Sequence, residues 1–194
     1  MSFINSQKKE INCKIVYYGP DFSGKATTLR HIYEKTAPGN RGKIVSLSDE
    51  QDRTLFFDFL PLSMGKIKDY TIRFHLYTVP GQVLYDSARK LILRGIDGVI
   101  FMVDSQIERL EENLESWKHL QANLASHDVD FHTVPMALQF NKRDLPKTLP
   151  TTEMRQLFNH RNLPEFETTA TKGRGVMECF QSVAKQVLKE LKKS

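Results

Sequence analysis

The residues best suited to chemistry form one glycine-bounded run, Gly19-Pro20-Asp21-Phe22-Ser23-Gly24-Lys25-Ala26-Thr27. It follows a strand-like stretch, Ile11 to Tyr18, in which Ile11, Cys13, Ile15 and Tyr17 alternate with Asn12 and Lys14. A helix-like stretch, Thr27 to Glu34, comes next. Strand, loop and helix in that order are what a phosphate-binding loop needs. Gly19 and Gly24 can take backbone angles that other residues resist, so the loop can turn its N–H groups around an anion at the positive end of the helix. Lys25 supplies a mobile ammonium for the outer phosphates. The pattern departs from the usual one directly after the lysine. A Ser or Thr hydroxyl there ordinarily ligates Mg²⁺, whereas Ala26 has no oxygen, and Thr27 and Thr28 project at other angles from the helix.

A second cluster lies far along the chain. Asn141-Lys142-Arg143-Asp144 follows a strand candidate, Thr133 to Phe140, at the mouth of a parallel sheet where open α/β folds bind ligands. A carboxylate at Asp144 can accept N1–H and 2-amino bonds from guanine, a pair that adenine does not offer. Asn141 can tie loops together, and the stem of Lys142 can lie along a flat base. Beyond the last short strand candidate, Glu165 to Thr169, a backbone N–H near Ala170 could donate to a guanine 6-oxo group.

The elements that would position these groups alternate between strand and helix, which implies a mostly parallel sheet with helices on both faces. Lys43 to Leu47 reads as a short extra strand, and Ser48 to Arg53 as an exposed loop. Leu55 to Leu62 and Tyr70 to Val79 read as an antiparallel pair joined near Met64-Gly65-Lys66. In the second of these, Ile72, Phe74, Leu76 and Thr78 share a face. Val83 to Arg94 looks helical, and the continuous apolar run from Gly98 to Val103 reads as a strand buried on both sides. Leu110, Leu114, Trp117, Leu120 and Leu124 mark one face of a long helix over Glu108 to Ser126, with Trp117 a packing residue. Glu153 to Arg161 is a short helix capped by Thr151 or Thr152. Gly175 to Leu191 is the last helix, and Lys189, Lys192 and Lys193 suit its negative end.

Composition sets bounds on the rest. At 40% apolar and 26% charged, the chain is globular rather than disordered. A net charge of +5 is ordinary solubility and does not argue for nucleic acid. Cys13 and Cys179 read as buried free thiols of a reducing compartment. No apolar stretch is long enough to span a bilayer, and no signal sequence or lipid-anchor motif is visible, so a cytoplasmic protein without integral membrane association is expected. The six histidines show no metal-ligand spacing with the cysteines.

Taken in order, the phosphate loop, Thr54, Pro80-Gly81-Gln82, Asn141-Lys142-x-Asp144 and the Thr169-Ala170 turn resemble the Ras-like small GTPases over essentially the whole chain. Asp52 to Pro61 and Tyr77 to Val83 look most like the bacterial gliding-motility branch of that family. The resemblance implies a single GTPase domain over 1–194 with a three-layer α/β P-loop fold, binding GTP or GDP. The implied nucleotide-binding residues are Gly19, Asp21, Phe22, Ser23, Gly24, Lys25, Ala26, Thr27, Thr54, Gly81, Asn141, Lys142, Asp144, Ala170 and Thr171. Gln82 would orient the attacking water, Gly81 would present its N–H to the γ-phosphate, and Arg53 would act as an intrinsic arginine finger.

Thr54 would sense the γ-phosphate and ligate Mg²⁺. Most of the family has an aspartate where this chain has Thr78, and the gliding-motility branch has Thr, so two metal-supporting groups are missing once Ala26 is counted. Asp52 and Asp58 are nearby carboxylates whose roles the sequence leaves open. The implied function is a switch that recruits effectors at a cell pole and controls motility, gliding or pilus-driven, with a roadblock-fold dimer as its activating partner. The alternative is a scaffold that keeps the fold but hydrolyses slowly or binds nucleotide poorly.

Overall fold

The computed structural model describes residues 3–48, 54–81 and 85–193, with the backbone alone for Phe3, Leu47, Ser48 and residues 54–57. The strands are β1 (Phe3–Asn5), β2 (Glu10–Tyr18), β3 (Val45–Ser48), β4 (Thr54–Ile67), β5 (Tyr70–Thr78), β6 (Gly98–Asp104), β7 (Met136–Asn141) and β8 (Glu165–Glu167). The helices are α1 (Lys25–Lys35), α2 (Asp86–Leu93), α3 (Leu110–Ala125), α4 (Thr151–Phe158) and α5 (Val176–Leu191). The strands form one sheet in the order β3-β4-β5-β2-β6-β7-β8, and β1 pairs with β2. β5, β2, β6, β7 and β8 run parallel, whereas β3–β4, β4–β5 and β1–β2 are antiparallel.

Side chains of successive strand residues leave on opposite faces, and both faces are apolar here. Val16, Tyr18, Val99, Phe101, Met136, Leu138 and Phe140 pack against Leu93, Trp117, Leu120 and Phe158 of α2, α3 and α4. Cys13, Ile15, Tyr17, Phe74, Leu76 and Ile100 pack against Leu29, Ile32, Phe180 and Val183 of α1 and α5. The result is three layers, helix–sheet–helix. Trp117 is a packing residue, its ring centroid 4.6 Å from that of Phe101 in an edge contact. Cys13 and Cys179 are buried and form no disulfide, and burial pushes the Cys179 thiol up out of its reactive range.

Some local expectations give way. β1 forms an N-terminal hairpin with β2, and at three residues it is too short to announce itself by alternation. The β4–β5 connection turns at Lys68-Asp69, with Lys68 at φ 52°, while Met64-Gly65-Lys66 lies within β4 at a break in register. Extending β4 past Gly65 keeps more backbone groups paired, so the glycine serves an irregularity rather than the turn. α4 takes neither Thr151 nor Thr152 as cap. Both are inside the helix, and the Pro150 carbonyl accepts the N–H groups of Glu153 and Met154. Proline suits that entry because it fixes the backbone angle and brings no unsatisfied N–H. The helix expected from Val83 begins, among the described residues, at Asp86.

Parallel pairing brings the carboxyl ends of β2, β5, β6, β7 and β8 to one edge. The segments that leave those ends carry Gly19 to Lys25, Val79 to Gly81, Asp104, Asn141 to Asp144, and Thr168 to Thr171.

Candidate functional site

The phosphate loop is shaped by close approach at both glycines. Gly19, at φ 151°, lies so near β6 that a Cβ would sit 2.3 Å from the Met102 carbonyl oxygen. Gly24, at φ 102°, would place a Cβ 2.3 Å from Asn141 Nδ2. Larger residues are therefore excluded at both points by space as well as by backbone angle. Gly24 caps α1 without a side-chain bond, so the first N–H groups of the helix are free to face an anion.

Lys25 is 7% exposed, and its ammonium donates to the carbonyls of Gly19 (3.0 Å) and Pro20 (2.6 Å). Burial lowers its pKa to about 8, opposed by the nearby carboxylate charge of Asp21 and, more weakly, of Asp58. The free protein thus binds fewer protons than the unfolded chain between pH 8 and 10.5. Its stability consequently rises with pH through that window. A phosphate needs the ammonium form, so nucleotide affinity falls over the same range, by up to about tenfold per pH unit. Titrations of the nucleotide-free protein from pH 7 to 10 check this, and a Lys25→Arg protein should show a flat profile.

A cleft of about 200 Å³ opens at the loop. It is lined by Asp21 to Thr27 and, from the sheet, by Asp58, Thr78, Val79 and Gly81. Gly81 rests on the loop, where a Cβ would lie 2.2 Å from the Asp21 Cα. Asp21 Oδ1 accepts the Phe22 N–H at 3.1 Å, and the Asp21 carbonyl accepts Arg109 Nη2 at 2.9 Å, which ties the loop to the start of α3. Thr28 does not reach the cleft. Its hydroxyl is buried and accepts Gln139 Nε2 at 3.2 Å.

Beside this cleft is a second one, lined by Phe22, Gly24, Thr27, Asn141, Lys142, Asp144, Leu145, Ala170 and Thr171. The two share Phe22, Gly24 and Thr27, so they adjoin across the phosphate loop and together make a trough with Lys25 in one part and Asp144 in the other. Asn141 fixes the junction. Its Nδ2 donates to the Ser23 carbonyl at 2.8 Å, and its Oδ1 accepts the Thr168 hydroxyl and the Ala170 N–H, each at 3.0 Å. The Ala170 N–H is therefore held inside the protein rather than aimed at a base, because the buried Asn141 carbonyl oxygen must itself be satisfied.

Lys142, at φ 65°, stretches along the trough to Asp104 Oδ2 (2.7 Å) and Gln106 Oε1 (3.0 Å). That pairing holds its stem flat. Asp144 is partly exposed and faces Lys172, 3.7 Å away. Asp104 and Arg109 support the site without having drawn notice in the sequence. Their contacts are set by tertiary packing, and no local pattern marks them.

The sequence also left open whether Asp52 or Asp58 serves the metal. Asp58 is 3% exposed and lies against Thr78. The Thr78 hydroxyl donates to Asp58 Oδ2 at 3.0 Å and accepts the Asp58 N–H at 2.7 Å, and Ser46 Oγ donates to Asp58 Oδ1. Asp52, Arg53 and Gln82 lie outside the described residues, as does the side chain of Thr54.

The three-layer fold with this trough at the carboxyl edge of its sheet is that of a P-loop nucleotide-binding protein. A Ras family model matches residues 45–189, and the chain belongs to that family. It is 58% identical over 193 residues to the mutual gliding-motility protein MglA of Myxococcus xanthus, covering 100% of this chain and 99% of that protein. That alignment includes the phosphate loop, which precedes the span of the family match. More distant relatives include the Ras-related protein Rab-7a of Dictyostelium discoideum, 24% identical over 94% of this chain and 85% of its own length. The human ADP-ribosylation factor-like protein 4C is 29% identical over 92% of this chain and 88% of its own. No described helix is long and apolar enough to cross a membrane.

Proposed function

We propose that the protein is a guanine-nucleotide switch of the MglA kind, a single GTPase domain over 1–194 that binds GTP and GDP. The adjoining clefts at Lys25 and Asp144 carry this reading. Lys25 and the free N–H groups at the start of α1 hold the phosphates, and the Gly19 and Gly24 backbone lets them approach. Asp144 accepts the guanine edge, Lys142 flanks the base, and Asn141 locks the base loop to the phosphate loop. Ala170 and Thr171 close the far side of the base cleft. Mg²⁺, when bound, neutralises charge between the outer phosphates. Asp58 lines the cleft and offers carboxylate oxygens suited to a hard cation, and Thr54 is the further donor that the family likeness implies.

Gln82 orients the attacking water and Arg53 stabilises the charge that develops on the transferred phosphoryl group. Gln82→Leu and Arg53→Ala each lower stimulated hydrolysis by at least tenfold while GDP affinity stays within about twofold. Single-turnover assays beside binding titrations check this, and unchanged turnover in either variant removes that residue's role. An MglB-like roadblock dimer is the activating partner, placing Arg53 and Gln82 rather than lending an arginine. The GTP-bound form recruits effectors at a cell pole and sets motility.

Denaturing the purified protein and identifying what it releases tests the reading. GDP or GTP supports it; no nucleotide, and none taken up from Mg²⁺-GTP, contradicts it. A second reading rests on Ala26: with one metal ligand gone, the protein is a scaffold that hydrolyses slowly or binds nucleotide poorly. It predicts either no retained nucleotide or bound nucleotide with no stimulated turnover.

A further inference from the structure

We propose that the Asp21 side chain is a fixed negative charge in the phosphate cleft that makes the site favour GDP over GTP. This deepens the guanine-nucleotide reading of the cleft and rests on it. A phosphate loop gathers N–H groups and a cation around an anion. Here the loop carries an anion of its own. Asp21 lines the cleft with Lys25, and its charge is the nearest influence of any carboxylate on that ammonium. Its Oδ1 accepts the loop N–H of Phe22 at 3.1 Å. The carboxylate thus already takes one of the donors that the loop would offer to a phosphate oxygen.

Its place along the cleft decides which phosphate it meets. A Cβ on Gly81 would lie 2.2 Å from the Asp21 Cα and 2.7 Å from its Cβ, so the side chain leaves the loop against Gly81. On the nucleotide reading, Gly81 faces the third phosphate. Phe22 and Gly24 line the base cleft as well, and Asp21 does not. Asp21 instead borders a cleft of about 270 Å³ on its other side, where Arg89 and Arg109 lie. Neither cancels the charge by a close ion pair. Arg109 gives Nη2 to the Asp21 carbonyl and Nη1 to Glu112 Oε1, so it anchors the backbone and pairs elsewhere. Lys25 turns its ammonium to the carbonyls of Gly19 and Pro20. Among the described residues no cationic side chain lies within 4.0 Å of the Asp21 carboxylate.

Like charges in a cleft partly closed to water repel more strongly than in bulk solvent. A triphosphate brings one more negative charge than a diphosphate, and brings it to the Gly81 end, where Asp21 stands. The contacts to the first two phosphates and to the base are common to both nucleotides. The difference between them therefore falls on this one meeting of charges, a repulsive element of the kind that sets specificity elsewhere. The backbone of Asp21 belongs to the loop that wraps the phosphates, and its side chain opposes the last of them.

The test is a pair of dissociation constants, for GDP and for the β,γ-imido analogue of GTP. Both are measured in chelator, so that a divalent cation does not enter the comparison. The native protein should bind GDP roughly tenfold or more tighter than the analogue. Asp21→Asn keeps the shape and the bond to the Phe22 N–H but removes the charge. It should bring the two constants within about twofold, chiefly by tightening the analogue. Asp21→Gly, which removes the whole side chain, should do the same and keeps the test decisive should the first variant fold poorly. Asp21→Glu should retain the native preference. A native protein that binds both nucleotides equally overturns the proposal. So do Asn and Gly variants that keep the preference, or that change both constants by the same factor, which marks a structural role only. A native protein that binds neither nucleotide instead defeats the nucleotide reading beneath it.

Discussion

Lys25→Ala lowers GDP affinity by roughly 100-fold or more. Among the described residues the ammonium is the one cationic side chain that lines the phosphate cleft, and it is nearly buried there. Hydrogen bonds to charged groups contribute about 1.5–3 kcal/mol each, and two lost contacts to phosphate oxygens amount to about 3 kcal/mol or more. At 1.4 kcal/mol per factor of ten, that is at least two orders of magnitude. The folded state should survive the change and even gain from it. Lys25 carries a depressed pKa because the protein buries its charge, so removing it relieves desolvation. The expected pair of results is weak binding by calorimetry and an unchanged or raised melting temperature without nucleotide. A variant that binds GDP normally would mean that the phosphates lie elsewhere.

Asp144→Ala acts at the other end of the trough and on a different property. It should lower GDP affinity by about 100-fold and remove the preference for guanine over adenine. A site built to accept two N–H groups rejects an analogue lacking them strongly, because the acceptor, covered by the bound base, is then unpaired. Once the carboxylate is gone, GDP and ADP should bind within a few-fold of each other, held by the phosphate loop alone. Lys172, whose ammonium lies 3.7 Å from the Asp144 carboxylate, is exposed and does not substitute. Competition of GDP, ADP and inosine diphosphate against a fluorescent nucleotide gives the ratios directly. Inosine diphosphate lacks the 2-amino group, so it should fall between the other two in the native protein.

How far the chain could be read before its fold was known depended on whether the deciding interaction was local. The phosphate loop was legible because strand alternation, two glycines, a lysine and a helix occur within a few residues of one another. The buried run from Gly98 to Val103 and the apolar stripe from Leu110 to Leu124 were legible because burial on a strand or a helix leaves a period in the sequence. Asn141 and Asp144 stood out by their position after a strand. The trough joining them to Lys25 follows from parallel pairing of β2, β6 and β7.

What escaped reading was set by contacts between distant segments. Asp58 and Thr78 are 20 positions apart, and only the Phe59–Tyr77 register brings them together. From sequence, Asp58 was one of two unassigned acids. The Ala170 N–H looked free for a base because nothing local shows that Asn141, 29 positions earlier, takes it. Two further misses were local. Pro150 displaced the threonines at the entry to α4, and Gly65 went to an irregularity in β4 while Lys68-Asp69 made the turn. In both cases a residue type with more than one use was read for its commoner one.

The central claim is that one guanine nucleotide spans the trough, its phosphates at Lys25 and its base at Asp144. The direct measurement is a GDP titration of the uniformly nitrogen-15-labelled, nucleotide-free protein, followed by amide resonances. The account predicts that Gly24, Lys25 and Thr27 on one side, and Asp144, Leu145 and Thr171 on the other, shift together. They should do so with one dissociation constant and one equivalent of GDP, whereas ADP moves the first group far more than the second. Two groups that respond with different constants, or a base-side group that never responds to GDP, would contradict it.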